Sequence, residues 1–322
     1  MELVNEIVEA RNFWEAWMSV RRNKGASGID KMSVDVLDVY MPLHMDEIKQ
    51  SICRKQYKSS PVRRVFIPKP NGKQRPLGIP TVVDRVVQQA TAQVLNRIYE
   101  PLFSEHSYGF RPNRSCHQAI NQALDYLNAG YEWVVDFDIE KFFDTVNHDK
   151  LISILREQVN DSATLHLIRS FLKSGVMEGG FVSATTEGVP QGGCISPILS
   201  NIYLDKLDKE LESRELRFVR YADDFDIFVK SERSADRVMA SVSRWLESKL
   251  RLKVSATKTK VVRPTKSVFL GFTFWKSTKG WECRPTDAAK EKLETKVKQV
   301  LVRKRATAQP MSYIFTKLNQ VI

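Results

Sequence analysis

Residues 216–231 read LRFVRYADDFDIFVKS and place two adjacent aspartates, Asp223 and Asp224, in the middle of an apolar run. If the run is extended, apolar residues alternate along a strand on each side, and a turn falls near residues 222–224. The two carboxylates then leave the core and cluster at a strand end. An ordinary turn that contains aspartate is an equally good interpretation of this run taken alone, since such turns are common.

A second short β-rich run, EWVVDFDI at residues 132–139, also ends in aspartates, with Asp136 and Asp138 alternating with apolar residues. If this strand pairs beside the hairpin, Asp138 and Asp223 converge on one point, and Asp224 can join them. Close carboxylates repel one another unless a cation neutralises them, and hard oxygen ligands suit Mg²⁺. Two such ions about 4 Å apart activate a 3′-hydroxyl and stabilise leaving pyrophosphate. The pattern therefore indicates a metal platform for nucleotidyl transfer.

The composition favours a nucleic-acid partner, because the 322-residue chain carries a net charge of +12 and cations placed on phosphates release counterions. The N-terminus is acidic and amphipathic rather than a signal peptide, and no apolar run is long enough to predict a membrane span. The cysteines are widely spaced, which predicts reduced thiols in a cytoplasmic protein rather than a zinc site or disulfides. They are Cys53, Cys116, Cys194 and Cys283. The expected location is the cytosol of a bacterium.

The order of elements predicts an α+β fold, because strands and helices are mixed without a regular βαβ rhythm. We expect a sheet with helices on one face. Residues 58–83 alternate basic and apolar side chains around Asn71-Gly72 and predict a further β-hairpin. The length suggests two or three subdomains.

Several segments together resemble the reverse transcriptases encoded by group II introns. YADD at 221–224 resembles their metal-binding hairpin, and VVDFDIEKFFDTVNH at 134–148 resembles their first catalytic strand. GVPQGGCISPILSNIYLDKLD at 188–208 resembles the group II version of the segment beside the incoming nucleotide. The further matches, in chain order, are NKGASGID, IPKPNGKQRPLGIP, SYGFRPNRSCHQAI, LKVSATKTK and FLGF, and the resemblance covers roughly residues 20–285.

The resemblance implies a right-hand polymerase with an antiparallel, ferredoxin-like (RRM-like) palm sheet packed on helices. Residues 1–130 are expected to form the fingers with an N-terminal extension, and residues 131–285 the palm, with a helical fingers insertion at about 147–180. Residues 286–322 are expected to begin a truncated thumb. A polymerase with an incomplete thumb holds its primer–template poorly, so this chain alone is expected to show weak or absent processive synthesis.

The resemblance also implies the site residues. Asp138, Asp223 and Asp224 would hold two Mg²⁺ ions, with Mn²⁺ as a substitute and Ile139 adding a backbone carbonyl. Lys260 is the rival of Lys258 as the lysine near the leaving pyrophosphate. The implied nucleotide-binding residues are Lys69, Arg75, Phe143, Gln191 and Lys258. The implied primer grip is Phe269, Leu270 and Gly271. The implied RNA or template contacts are Arg63, Arg64, Lys73, Arg111 and Arg114.

Phe143, Arg111 and Arg114 each keep an alternative. Of Phe142 and Phe143, one is expected to face the core and the other to exclude a ribose 2′-hydroxyl. Arg111 and Arg114 would either contact template phosphate or cap the helix that Ser115 opens.

The resemblance implies an RNA-directed DNA polymerase that copies intron RNA into DNA and binds that RNA as a splicing maturase. Its partners would be the intron RNA template, a DNA primer, deoxynucleoside triphosphates and the parent intron ribonucleoprotein. A homodimer is a further partner arrangement that the resemblance leaves open. One alternative is an RNA-binding splicing cofactor without polymerase activity, which the presence of all three aspartates argues against. A CRISPR-associated relative is the other alternative, because it would share the group II pattern.

Overall fold

A computed structural model describes residues 2–68, 72, 74–302 and 307–321 of the chain. The described helices are α1 (Leu3–Ile7), α2 (Ala10–Asn23), α3 (Val34–Cys53), α4 (Val82–Tyr99), α5 (Cys116–Asn128), α6 (Phe142–Thr145), α7 (His148–Leu155), α8 (Ser162–Leu172), α9 (Ser196–Ser213), α10 (Glu232–Trp245), α11 (Asp287–Val300) and α12 (Met311–Asn319). The described strands are β1 (Val62–Pro68), β2 (Gln74–Ile79), β3 (Trp133–Phe137), β4 (Val176–Glu178), β5 (Phe181–Ser183), β6 (Arg217–Tyr221), β7 (Asp224–Val229), β8 (Lys260–Val262), β9 (Val268–Phe269), β10 (Phe272–Ser277) and β11 (Gly280–Pro285).

The palm is an antiparallel sheet with strand order β6-β7-β3-β8. Along the chain these strands and two helices follow the order β3, α9, β6, β7, α10, β8. This is the βαββαβ arrangement of ferredoxin-like sheets. The predicted α+β fold with an antiparallel palm sheet is therefore confirmed.

The palm sheet is covered on both faces, which corrects the expectation of helices on one face. Alternate residues of β3 point to opposite sides, so Val135 joins the main hydrophobic core while Val134 joins a second one. The main core contains Phe137 stacked on Phe225, with ring centroids 4.7 Å apart. The second core contains residues of α5 together with Phe274 of β10. Because both faces are buried, β3 carries apolar side chains on both of them.

The fingers sheet joins two distant parts of the chain in the order β2-β1-β4-β5. β1 and β2 form the hairpin predicted at residues 58–83, and β4 adds parallel to β1 from the segment after α8. The Gly78 N–H donates to the Gln191 carbonyl over 2.7 Å, which ties β2 to the loop before α9. A Cβ on Gly192 would lie 2.8 Å from the Gly78 carbonyl oxygen, so glycine is needed for this approach.

Local signals explain where individual helices begin. α5 starts with a capping box, in which the Ser115 side chain accepts from the Gln118 N–H and the Gln118 side chain accepts from the Ser115 N–H. At the start of α10 the Ser231 side chain accepts a hydrogen bond from the Ser234 N–H, and at the start of α11 the Thr286 side chain accepts one from the Ala289 N–H. Among the helices of the described residues, none combines the length and apolar character needed to cross a lipid bilayer. The predicted subdomain boundaries stay predictions.

Candidate active site

The tip of the β6–β7 hairpin holds Asp223 and Asp224. Tyr221 and Asp224 form the last pair of the ladder, and Ala222 between them is buried with φ of +59°. This left-handed conformation is uncommon for a residue with a Cβ. The tip packs against Gly109, where a Cβ would lie 2.2 Å from the Ala222 nitrogen. The backbone of the turn is thus held from outside the hairpin.

Asp138 follows the end of β3, beside the strand that carries Asp224. β3 and β7 pair in register up to Phe137 opposite Phe225. The Asp138 N–H donates to the Thr259 hydroxyl (3.1 Å), and the Asp138 carbonyl accepts from the Ser255 N–H (2.8 Å). The Lys258 ammonium donates to the Asp138 carboxylate over 2.7 Å. The segment before β8 therefore fixes both the backbone and the side chain of Asp138.

The carboxylates influence one another electrostatically, as expected for converging acidic groups. Partial removal of water, followed by the negative charges of Asp223, Asp138 and Asp136, raises the pKa of Asp224 to about 6. Partial burial and the charge of Asp138 also raise the pKa of Asp223. The structure thus brings together the three predicted catalytic aspartates, although they come from two segments of the chain.

A cavity of about 430 Å³ opens beside these aspartates. Asp138 and Asp224 line it, together with Lys258, Lys260 and the side chains of the predicted primer grip, Phe269 and Leu270. Leu270 and Gly271 form a tight turn with φ of +52° and +82°. Phe269 is buried and anchors this turn. Lys258 and Lys260, the two candidates for the lysine near the leaving pyrophosphate, both line this cavity. The Lys260 ammonium lies 3.4 Å from the Asp136 carboxylate.

The donor chemistry at this cavity fits a divalent cation, because its oxygen ligands are hard and repel one another. Across the residues that the structure describes, however, no three Asp, Glu, His or Cys side chains already form a cluster that could hold an ion. The Asp138 carboxylate pairs instead with the Lys258 ammonium. The ammonium of Lys258 supplies at Asp138 the positive charge that an ion would otherwise provide.

Beneath the hairpin lies a buried polar network that the sequence analysis missed. Arg220 is fully buried and donates from Nε (2.7 Å) and Nη2 (2.5 Å) to the two carboxylate oxygens of Asp208 on α9. Its remaining nitrogen donates to the Ala222 carbonyl (2.9 Å) and to the Asn201 side chain (3.0 Å). Asn201 in turn donates to the Gly109 carbonyl (2.9 Å). The sequence contained a signal for this network. Arg220 lies two residues after Phe218, so both side chains share one face of the strand, and the apolar pattern predicts that this face is buried.

A second buried acid, Asp226, also went unnoticed. It lies on β7 opposite Asp136 on β3, and burial raises the pKa of Asp226 well above its ordinary value, with further increases from Asp136 and Asp224. Ser267 is its hydroxyl neighbour at 3.5 Å. Burial therefore disfavours the charged form of this carboxyl, and the alternation of two aspartates around Phe225 was the available signal in the sequence.

A separate cleft of about 260 Å³ lies between fingers and palm. It is lined by Phe143, Gln191 and Arg64, three residues predicted to contact nucleotide or template. Phe142 is buried in the core, whereas Phe143 is only half-buried. This agrees with the expectation that one of the two faces the core. Arg75 is exposed on β2, close enough for its charge to act on Asp223.

The structure corrects one of the predicted template contacts, Arg111. Arg111 is buried, and all three guanidinium nitrogens already donate within the protein, to Glu100 and to the Ser104 and Ser107 carbonyls. Arg111 is therefore a structural residue, because a buried guanidinium keeps the partners that compensate its lost water.

Arg114 is also engaged. It pairs with Glu105 and lies over the Tyr108 ring, with its guanidinium carbon 5.5 Å from the ring centroid. Neither it nor Arg111 caps α5, which Ser115 and Gln118 cap themselves. Arg63 donates to the Ser27 carbonyl (2.7 Å) and so ties β1 to the loop after α2. Two further predicted contacts, Lys69 and Lys73, lie outside the described residues.

Comparisons with known proteins point to one family. Residues 67–274 match the model of the family described as reverse transcriptase (RNA-dependent DNA polymerase). Protein YkfC of Escherichia coli (strain K12) is 34% identical over 290 residues, which cover 77% of this chain and 76% of that protein. Group II intron-encoded protein LtrA of Lactococcus lactis subsp. cremoris is 39% identical over 65% of this chain and 35% of LtrA.

A third relative is the nuclear intron maturase 4, mitochondrial, of Arabidopsis thaliana. It is 33% identical over 44% of this chain and 18% of its own length. The chain therefore spans most of YkfC but only a minor part of the two intron-related proteins. The resemblance to group II intron reverse transcriptases, stated from the sequence motifs, is confirmed by these matches.

Proposed function

Because the chain belongs to the reverse transcriptase (RNA-dependent DNA polymerase) family, we propose that it copies group II intron RNA into DNA at the palm cavity. The observation that carries this proposal is the convergence of Asp138 with Asp223 and Asp224. β3 and the β6–β7 hairpin hold these carboxylates at the same end of one sheet. Deoxynucleoside triphosphates and a DNA primer on an RNA template are the proposed substrates.

Two Mg²⁺ ions are the proposed cofactors, with Mn²⁺ as a substitute. Asp138, Asp223 and Asp224 would hold them, together with the backbone carbonyl of Ile139. When bound, such ions lower the barrier by activating the primer hydroxyl and stabilising the leaving pyrophosphate. The mutual repulsion of the carboxylates supports this assignment, since a cation would relieve it.

The chain's own residues would position the substrates around the cavity. Lys258, whose ammonium is 2.7 Å from the Asp138 carboxylate, would donate a proton to leaving pyrophosphate. The turn at Phe269, Leu270 and Gly271 would hold the primer end beside the same cavity.

In the fingers–palm cleft, Phe143 would exclude a ribose 2′-hydroxyl and Gln191 would lie beside the nucleotide. Arg75 and Lys69 would bind the triphosphate, because guanidinium and ammonium groups pair strongly with phosphate oxygens. Arg64 and Lys73 would contact template.

The proposal extends to a maturase role, in which the protein binds the parent intron ribonucleoprotein and aids splicing. Its support is the relatedness to an intron-encoded protein and an intron maturase. A cytoplasmic location and a homodimer stay predictions, as does the CRISPR-associated alternative. The splicing cofactor without polymerase activity becomes one outcome of the test below.

The test is incorporation of a single deoxynucleotide on a DNA primer annealed to RNA, with Mg²⁺. Asp223→Ala/Asp224→Ala should lower the rate by roughly a thousandfold or more, because the lost groups stabilise transition-state charge by several kcal/mol. The matched control is Asp46→Ala/Asp125→Ala, which removes two exposed helical aspartates. Equal rates for the catalytic variant and wild type would contradict the proposal. If the wild-type protein binds RNA but incorporates no nucleotide, the result would favour the alternative of an RNA-binding splicing cofactor without polymerase activity.

A further inference from the structure

A second groove lies at the opposite end of the catalytic hairpin. It has a volume of about 760 Å³ and opens between α10 and the strand ends at Arg217 and Lys230. The tip at Ala222 is about 16 Å away along β6. We call this the basic groove. Its remaining charged lining comprises Arg237 and Arg244 on α10 and a single acid, Glu215.

The four cations of the basic groove share a single acid in its lining, Glu215. Within the described ranges none of them forms an ion pair, whereas neighbouring cations on α9, such as Lys206 and Lys209, are paired with glutamates. Their internal contacts are to neutral groups. Arg237 donates to Ser234 (3.3 Å), Arg244 donates to the Ala240 carbonyl (3.2 Å), and Lys230 lies over the Tyr131 ring at 5.0 Å. Arg217 is influenced by the Tyr131 hydroxyl and, more weakly, by the charge of Glu215, which both raise the pKa of its guanidinium. The positive charge is thus left for an external anion.

The shape of the basic groove suits an extended anion. Small side chains line the α10 side of the groove, with Ser234 before Arg237 and Ala240 and Ser241 between the two arginines, and they leave room for close approach. Arg237 and Arg244 are two helical turns apart, or about 10.5 Å along the axis, so each can meet a different phosphate of one chain. Guanidinium groups match phosphate oxygens through two parallel hydrogen bonds. A chain of phosphates fits this spacing better than a single small phosphate compound.

We propose that the basic groove binds the phosphate backbone of folded RNA, as a second RNA site separate from the palm cavity. The inference rests on the proposed function, since the intron RNA would be its ligand. One face of the palm could then hold the intron while the cavity holds primer and template. An acidic protein segment would meet the same charges, but RNA is favoured because the cations are spread along the groove and the whole chain carries +12.

The test measures binding of an RNA hairpin of about 20 base pairs, in the presence of saturating primer–template, from about 50 to about 300 mM salt. The variant is Arg237→Ser/Arg244→Ser. The matched control, Arg233→Ser/Lys249→Ser, removes two exposed cations from the same helical segment but outside the groove. We expect the groove variant to bind about tenfold more weakly at about 150 mM salt, with the slope of log affinity against log salt reduced by about 1.5 to 2.

Further readouts separate the possible failures. The control should lose less than about threefold in affinity, and both variants should keep the wild-type rate of nucleotide incorporation. Equal losses in groove variant and control would overturn the proposal, because the effect would then be diffuse charge. Displacement of the RNA by poly-glutamate as efficiently as by unlabelled RNA would overturn it in favour of an acidic protein partner. A wild type that binds the hairpin but incorporates nothing would contradict the polymerase proposal alone.

Discussion

Two ion pairs at the palm carry similar charges at similar distances but in opposite surroundings. Arg220 and Asp208 are both fully buried beneath the catalytic hairpin, whereas Lys258 and Asp138 meet at the mouth of the cavity, where the lysine side chain is 67% exposed. The buried pair is enclosed by further hydrogen bonds to Asn201 and Ala222. The exposed pair can open into water at little cost.

The difference indicates a division of labour. A buried pair that is broken leaves an uncompensated charge, so Arg220 and Asp208 act as a permanent part of the hairpin's support. An exposed pair is weak and exchangeable, so Lys258 can release Asp138 when another cation approaches. The site thus combines a fixed backbone under Asp223 with a replaceable partner at Asp138. Substitutions at the buried pair should change the free energy of unfolding most, and substitutions at the exposed pair should change it least.

The largest effect is expected from Asp208→Asn. It should lower the unfolding free energy by about 3–5 kcal/mol, because Arg220 would stay buried without a countercharge. Denaturant titration measures this loss. Arg220→Met/Asp208→Leu should recover much of the stability, since apolar side chains of similar volume often replace buried pairs without loss.

The recovered double variant separates stability from positioning. It still lacks the donor to the Ala222 carbonyl, so nucleotide incorporation should remain low even where folding is restored. Full activity in the double variant would show that the network supports the fold but does not position the hairpin.

A smaller effect, of opposite sign, is expected from Asp205→Asn on α9. Burial, followed by the charge of Asp208, raises the pKa of Asp205 to about 6, and its Oδ1 is a buried atom without a hydrogen-bond partner among the described residues. The unfolded carboxyl titrates near about 3.9, so the folded state is penalised increasingly as pH rises from about 4 to about 6. The penalty is full above that range and absent below it.

Asp205→Asn should therefore raise the unfolding free energy by about 1–3 kcal/mol at about pH 8 and change it little at about pH 4. Thermal or denaturant unfolding at the two pH values measures the difference. A pH-independent change would mean that the carboxyl does not titrate as a buried group.

The smallest change in stability is expected from Lys258→Met, within about 1 kcal/mol, because the ion pair is exposed. Nucleotide incorporation should nevertheless fall, since the proposed proton donor is lost. Lys276→Met is the matched control: Lys276 pairs with Glu132 at 2.5 Å with comparable exposure on β10. The control should change stability as little and leave incorporation intact. A loss of more than about 2 kcal/mol in Lys258→Met alone would make its pair structural.

Much of the catalytic sheet could be predicted because its signals are local. Alternating apolar residues on both sides of YADD indicated the hairpin, and Ser115 indicated the start of α5. The place of Arg111 could not be predicted. A template contact was predicted for Arg111 because it lies in the motif SYGFRPNRSCHQAI. Its observed partners, Glu100, Ser104 and Ser107, depend on how the loop before α5 folds back on itself.

The order of residues along the chain thus decided which segments become strands and helices and which carboxylates end up at strand termini, because hydrophobic periodicity and capping act over a few residues. Folding decided which charges meet. Asp138 and Lys258 are 120 positions apart, and Arg220 reaches Asp208 across the interface between β6 and α9. Partner choice and burial depend on packing between elements, and burial turns one ion pair into a fixed support while exposure leaves the other replaceable.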